Sequence, residues 1–318
     1  MTPQPTSADA EATFSRKGRR KTASTSRTSA PGGLAALVRA RTPRSDRLYG
    51  AMLLPALLLM LVFYVYPVAK VLWISVTDPV PGLGNYGLLF TSASVQRMIW
   101  TTARIACLTT AITLVLAYLV AYALTFASET ARRVMLVGIL VPLWISVLVR
   151  AFAWVALLRR EGVVNNGLIG AGLIESPLPL IWNELGIVIG MVHYMLPLGI
   201  LPLYSAMRDI DPRCIAAARG LGGSRLQVFR RIFWPLSLPG VIGSGLLVFI
   251  FSLGFFVTPA ILGGGRTLMA AEYINVQIHD LVRWGLGAMV ASTLVIVVLA
   301  LLLLMGRLVD VGRLFGSR

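Results

Sequence analysis

Apolar residues fall in six long runs, at about 50–76, 99–126, 134–158, 180–206, 237–261 and 285–306, separated by polar connections. Each run exceeds the roughly 20 residues that a helix needs to cross the hydrocarbon of a bilayer. Pro55, Pro67, Pro142 and Pro197 interrupt several of them, which helices in a bilayer tolerate when neighbours re-satisfy the freed backbone groups. The alternating segments of an outer-membrane barrel are absent from the sequence. The pattern predicts an all-α integral membrane protein with six transmembrane helices over residues 50–306.

Composition agrees. Of the 318 residues 57% are apolar and 13% charged, against about a quarter charged in soluble domains, and the mean hydropathy is +0.78. The net charge is +16. In a soluble protein such a balance would point to nucleic acid, but here topology accounts for it and no nucleic-acid partner is expected. With the N-terminus inside, the inner segments 1–49, 127–133, 207–236 and 307–318 carry 21 Lys and Arg, and the outer loops five. That asymmetry predicts both termini in the cytosol. Residues 1–49 contain ten of those cations among Ser, Thr, Ala and Pro, and read as a disordered basic tail beside anionic lipid. Residues 307–318 form a second short basic tail.

Most chemistries of an enzyme are missing. The only lysines are Lys17, Lys21 and Lys70, none preceded by Gly, so a phosphate-binding loop is impossible. The Gly263-Gly264-Gly265 run reads as a turn. His193 and His279 are far apart, and Cys107 and Cys214 are too few for a cysteine metal site or a disulfide framework. No nucleophile triad or carboxylate pair is suggested. A non-enzymatic membrane protein is expected, with an intramembrane enzyme a distant second class.

The longest inner loop, 207–236, is the most informative segment. Asp211-Pro212 supplies an N-cap followed by proline in the first turn. Ala216-Ala217-Ala218 then builds a short helix with little side-chain bulk, and Gly222-Gly223 ends it. A second, amphipathic helix is expected through Leu226, Phe229 and Ile232-Phe233, with Pro235 and Pro239 leading back into the membrane. Such a small-residue helix is either a surface that another protein's groove could grip or a connector rich in good helix formers.

The loop resembles the EAA loop of permease subunits of ATP-binding-cassette importers. Ala217-Ala218, Gly222, Ile232 and Pro235 or Pro239 match that pattern, while Ala216 stands at the glutamate position and Gly220 where an acidic residue often precedes Leu-Gly. Two further segments are similar to the spermidine/putrescine branch of binding-protein-dependent permeases. These are Val149-Arg150-Ala151-Phe152-Ala153-Trp154 with Gly162-Val163-Val164-Asn165, and Phe256-Val257-Thr258-Pro259-Ala260. The resemblance covers about 50–306. It implies a type I importer fold in the bacterial cytoplasmic membrane and alternating access driven by two cytosolic ATPases, which bind the ATP and Mg²⁺. It also implies a second permease, identical or homologous, and a periplasmic or lipid-anchored solute-binding protein; no cofactor is expected in this chain. Ala216, Ala217, Ala218, Arg219, Gly220, Leu221, Gly222, Gly223, Ser224, Phe229, Ile232 and Pro235 are then the candidate ATPase contact.

For the solute, the branch favours a polyamine such as spermidine or putrescine, which would want carboxylates and aromatic faces. Asp78, Glu161, Glu175, Glu184, Glu272 and Asp280 all fall in loops or at span ends, and span five ends in Phe255-Phe256 without a carboxylate. An amino-acid-like, opine-like or other organic ion stays open. Arg150, inside a span, reads as a pathway residue or as a structural, snorkelling arginine. Trp154, Glu161, Asn165, His193 and Phe256 complete the candidate pathway, although packing explains His193 equally and belt anchoring explains Trp154, Trp182 and Trp284. Lys70 and Arg104 read as snorkelling. A secondary carrier or channel is the rival class. A carrier would be expected to show internal repeats and intramembrane acids, and neither is evident.

Overall fold

The computed structural model describes residues 43–308, so nearly all of the two expected tails lies outside the described residues. The chain divides into Met1–Leu61 and Val62–Arg318. In the first unit, helix α1 (Pro43–Met60) leaves Leu53, Leu57 and Met60 exposed. Such a surface suits hydrocarbon and does not suit water.

Among the described residues the second unit is built of helices joined by loops, without a strand. It runs α2 (Tyr66–Thr77), α3 (Gly84–Thr91), α4 (Ala93–Phe126), α5 (Glu129–Trp144), α6 (Val147–Leu158) and α7 (Val163–Gly170). There follow α8 (Glu184–Arg208), α9 (Pro212–Gly220), α10 (Arg225–Val228), α11 (Trp234–Leu253), α12 (Val257–Leu262), α13 (Ala270–Asn275) and α14 (Trp284–Leu308). Five helical stretches are long and apolar enough to span a membrane, or six if the bent pair containing α5 and α6 counts as one.

That bent pair departs from the single run expected over 134–158. The helix stops at Trp144 and restarts at Val147, and the two parts meet at 98°. Pro142 lies two residues before the stop, removes a helical donor and crowds the preceding turn. Ser146 then takes an extended conformation as the cap of α6. A second departure lies after the 209–224 loop. The helix expected there is not separate from span five, because Arg225–Leu253 is continuous through a wide π turn at Phe229–Phe233.

Helix α8 is the centre of the unit, packed against α4, α11, α12 and α6. Asn183 caps it by accepting from Gly186 N at 3.0 Å. Along α4 the buried residues Thr102, Ile105, Ala106, Thr109, Thr113, Ala117, Ala121 and Leu124 recur at helical spacing. Most are small, so the two helices approach closely, as small-residue interfaces in membranes allow. A Cβ on Gly199 would already lie 3.2 Å from Thr113 and 3.3 Å from Ala117. One apolar core surrounds Ile187, Met191 and Leu262, and another surrounds Leu203, Met207 and Phe233. These cores occupy the two ends of α8, which are ~37 Å apart at 1.5 Å per residue.

Candidate functional site

At the Arg208 end of α8 the loop folds by its own local chemistry. Asp211 caps α9 by accepting from Arg213 N at 2.8 Å, with Pro212 in the first turn. The helix closes through Gly222 N donating to Arg219 O at 2.9 Å and Gly223 N donating to Ala218 O at 3.1 Å. Gly222 has φ +84, the left-handed conformation that favours glycine. At Gly223 a Cβ would sit 2.7 Å from Ala218 O. Ser224 and Gln227 form a reciprocal capping box that starts α10.

The surface so formed combines small residues with exposed arginines, Arg213, Arg219 and Arg225. Ala216, Ala217, Arg219, Gly220, Gly222 and Ser224 are exposed, and Leu221 and Leu226 are 90% and 72% exposed. Ala218, Gly223 and Ile232 are half-buried, and Pro235 is exposed on the first turn of α11. Phe229 points the other way, into a group of rings with Tyr118, Tyr122, Phe126 and Phe233. Tyr122 meets Phe229 and Phe233 edge-on, with centroids 5.6 and 5.2 Å away. Tyr118 Oη and Ser237 Oγ share a hydrogen bond of 3.1 Å. The rings tie the root of the loop to α4.

A second group lies about 15 Å along α8 from its Asn183 cap, near half the thickness of a bilayer core. Arg150, from α6, is only 8% exposed. Its guanidinium carbon stands 4.6 Å from the centre of the Tyr194 ring, within cation–π range. Its Nε and Nη1 have no hydrogen-bond partner among the described residues. Tyr194 also packs on Phe255 at 4.5 Å between centroids. Trp154 Nε1 donates to His193 Nδ1 at 3.2 Å, which assigns the His193 proton to Nε2. Phe255 sits in the non-helical break between α11 and α12, the kind of discontinuity that lines membrane-interior sites in transporters.

Three of the six pathway candidates, Arg150, Trp154 and His193, are therefore together, and three are elsewhere. Phe256 is exposed beside the group, and its neighbour Phe255 takes the inner place. Asn165 is fully buried but works as a clamp: it accepts from Leu178 N at 2.9 Å and donates to Leu178 O and Arg159 O. Glu161 lines a cavity of about 450 Å³ with Arg159, Arg160, Trp182 and Arg266. That cavity is at the Glu184 end, where Trp182 N donates to Leu262 O at 2.8 Å. Arg104, expected to snorkel, pairs with Glu184 at 3.1 Å, both side chains being partly exposed. Tyr194 and Phe255 were not among the pathway candidates, although Tyr194 adjoins His193 and Phe255 adjoins Phe256.

The model of the binding-protein-dependent transport system inner membrane component family matches residues 113–311. The chain belongs to that family. Among curated relatives it is 34% identical over 194 residues to the spermidine/putrescine transport system permease protein PotB of Escherichia coli, covering 61% of this chain and 70% of the relative. It is 32% identical over 219 residues to PotB of Haemophilus influenzae, covering 69% and 76%. Two solved structures share the fold. One is a bacterial ABC transporter involved in the import of the acidic polysaccharide alginate, at TM-score 0.67 and 21% identity over 83% of this chain and 96% of that one. The other is a bacterial alginate ABC transporter in complex with a pentasaccharide-bound periplasmic protein, at TM-score 0.69 and 20% identity over 82% and 93%. The family resemblance and the all-helical importer-permease fold read from the sequence are thereby established. The chain is an ABC importer permease with polyamine-permease relatives.

Proposed function

We infer that this chain is the permease subunit of an ATP-driven, binding-protein-dependent importer of a small organic solute. In this reading both termini and the 209–224 loop face the cytosol, as the Lys and Arg distribution argues. Two ATPase subunits, which alone bind and hydrolyse ATP, grip α9. A second permease, identical or homologous, completes the pathway. A solute-binding protein docks at the Glu184 end. Closure of the ATPases moves α9 and α10, the ring group carries that movement into α4 and α11, and the spans rock around the interior group.

The observation that carries this reading is α9 itself, a self-capped helix whose exposed face is Ala216, Ala217 and Leu221, within the segment that matches the family. Co-expression with the cognate ATPase should give a detergent-stable complex, whereas the chain alone should show no ATPase activity. Proton-driven uptake by vesicles holding only this chain would overturn the reading. A reporter active only outside should be silent when fused after Arg231 and active near Gly265.

The PotB relatives put a polyamine first among solutes. A specific feature of the interior favours a second reading, a solute that carries a carboxylate. Two like charges 5 Å apart repel by about 3 kcal/mol at an effective dielectric of ~20, so Arg150 opposes a polycation held beside it. Among the described residues the acids within candidate spans are Glu129 and Glu184, each at the first position of its helix, and Glu161 in the bent pair. Glu129 is paired with Arg132 and Arg133, and Glu161 lines a cavity with Arg159, Arg160 and Arg266.

A further inference from the structure

We propose that Arg150 is the carboxylate-binding residue of the transported solute, with the Tyr194 ring covering its guanidinium when no solute is present. The proposal rests on the importer reading above and names the chemistry of its solute. Arg104 pairs with Glu184, and Arg132 and Arg133 share Glu129. Arg150 has only an aromatic face, no carboxylate within 4.0 Å among the described residues, and two buried N–H-bearing nitrogens without an acceptor. Arginine cannot shed its proton to relieve that state. A guanidinium is a planar fork, and the acceptor that fits such a fork is a carboxylate.

The surroundings admit a ligand. Trp154, His193, Tyr194 and Phe255 are each half-buried, so the packing of this chain does not enclose the group fully. The cavity at the Glu184 end has the same sign. It presents Arg159, Arg160 and Arg266 against Glu161 alone, and Arg159 is ~13 Å from Arg150 along the axis of α6. Two separate places on the inferred route are thus cationic. Tyr194 exchanges roles with the solute: its ring faces the guanidinium at rest, and the carboxylate displaces it. The amine of an amino-acid-like solute would then meet the Phe255 and Trp154 rings.

The test uses the importer assembled with its cognate ATPase and second permease, without the binding protein. Putrescine, 4-aminobutyrate and succinate have the same number of carbons and differ only in their end groups. Each is titrated while tryptophan fluorescence is read, and the Trp154→Phe assembly identifies the local part of the signal. We expect 4-aminobutyrate or succinate to change the Trp154 signal and putrescine to leave it flat. Arg150→Gln should weaken the carboxylate response about ten- to a hundredfold, the loss of a charge-assisted hydrogen-bonded pair. Arg150→Lys, which keeps charge without the fork, should fall between and controls for folding. The proposal is overturned if only putrescine responds, if no probe does, or if Arg150→Gln binds the carboxylates as before. It is also overturned if Arg150→Gln releases the second permease while carboxylate binding is unchanged, because Arg150 then serves the partner. Retention of the ATPase on the affinity column is scored separately, so failure of the importer reading is told apart from failure of the site.

Discussion

The 209–224 loop and the Arg150 group sit at different heights of the same central helix and are held by opposite means. The loop is exposed, and every turn of it is closed by residues within a few positions: Asp211 on Arg213, Gly223 on Ala218, Ser224 on Gln227. The Arg150 group is assembled from α6, α8 and the α11–α12 break, and none of its contacts is local in the chain. A surface made locally can be presented rigidly to a partner that arrives from outside the membrane. A group made from several helices changes whenever those helices move, as a site for alternating access must.

The sharpest way to break this comparison is at the loop. Gly222→Asp places a side chain at φ +84, where an L-residue is strained, and adds a negative charge that an interface would have to desolvate. We expect loss of solute uptake and of ATPase co-purification with membrane abundance unchanged, since the affected interface contact is worth ~1–3 kcal/mol, a factor of about 5 to 150 in affinity. Ala217→Glu should act alike. Ala216→Glu restores the family residue on the same face and should be neutral or strengthen binding. Full uptake with Gly222→Asp would reduce the loop to a connector.

The same contrast explains what the sequence disclosed. N-caps, small-residue helices and glycine stops are short-range events, so α9 could be placed from Asp211, Pro212, Ala216–Ala218 and Gly222 alone. The runs of apolar residues likewise marked the membrane helices. The 98° bend before α6 was not legible, because Pro142 is compatible with either a kinked or a broken span. Tyr194 and Phe255 were hidden for a related reason. On an apolar helix one aromatic looks like any other until the neighbouring helices fix which ring meets the cation. The partner of Arg104, Glu184, was not legible because it lies 80 positions further along the chain.

A smaller effect separates pathway from scaffold. Asn165 stood among the pathway candidates, yet its amide closes the 165–178 loop on Leu178 and Arg159. Asn165→Ala leaves Leu178 N without that acceptor, at a cost of about 1–3 kcal/mol. We expect a lower thermal midpoint in detergent with the Trp154 response to carboxylates unchanged. A change in that response at unchanged stability would move Asn165 back into the pathway.

The smallest effect compares two ways of burying a charge. Glu272, on α13 and outside the candidate spans, is 7% exposed, and its Oε2 has no partner among the described residues. Burial raises its pKa above the ordinary carboxyl value. Unlike Arg150, Glu272 can escape the penalty by taking up a proton. The folded state therefore binds that proton more tightly than the unfolded chain. The resulting stabilisation is fully present below the unfolded value, near pH 4.3 for glutamate, and is lost as pH rises through the raised folded value. Glu272→Gln keeps the shape and removes the ionisation. It should match the parent near pH 4 and exceed it by about 1 kcal/mol above the raised pKa, read as a thermal midpoint that falls less with rising pH. A constant offset at every pH would mean that the carboxylate is not paying a burial penalty and that a partner group neutralises it in the assembled importer.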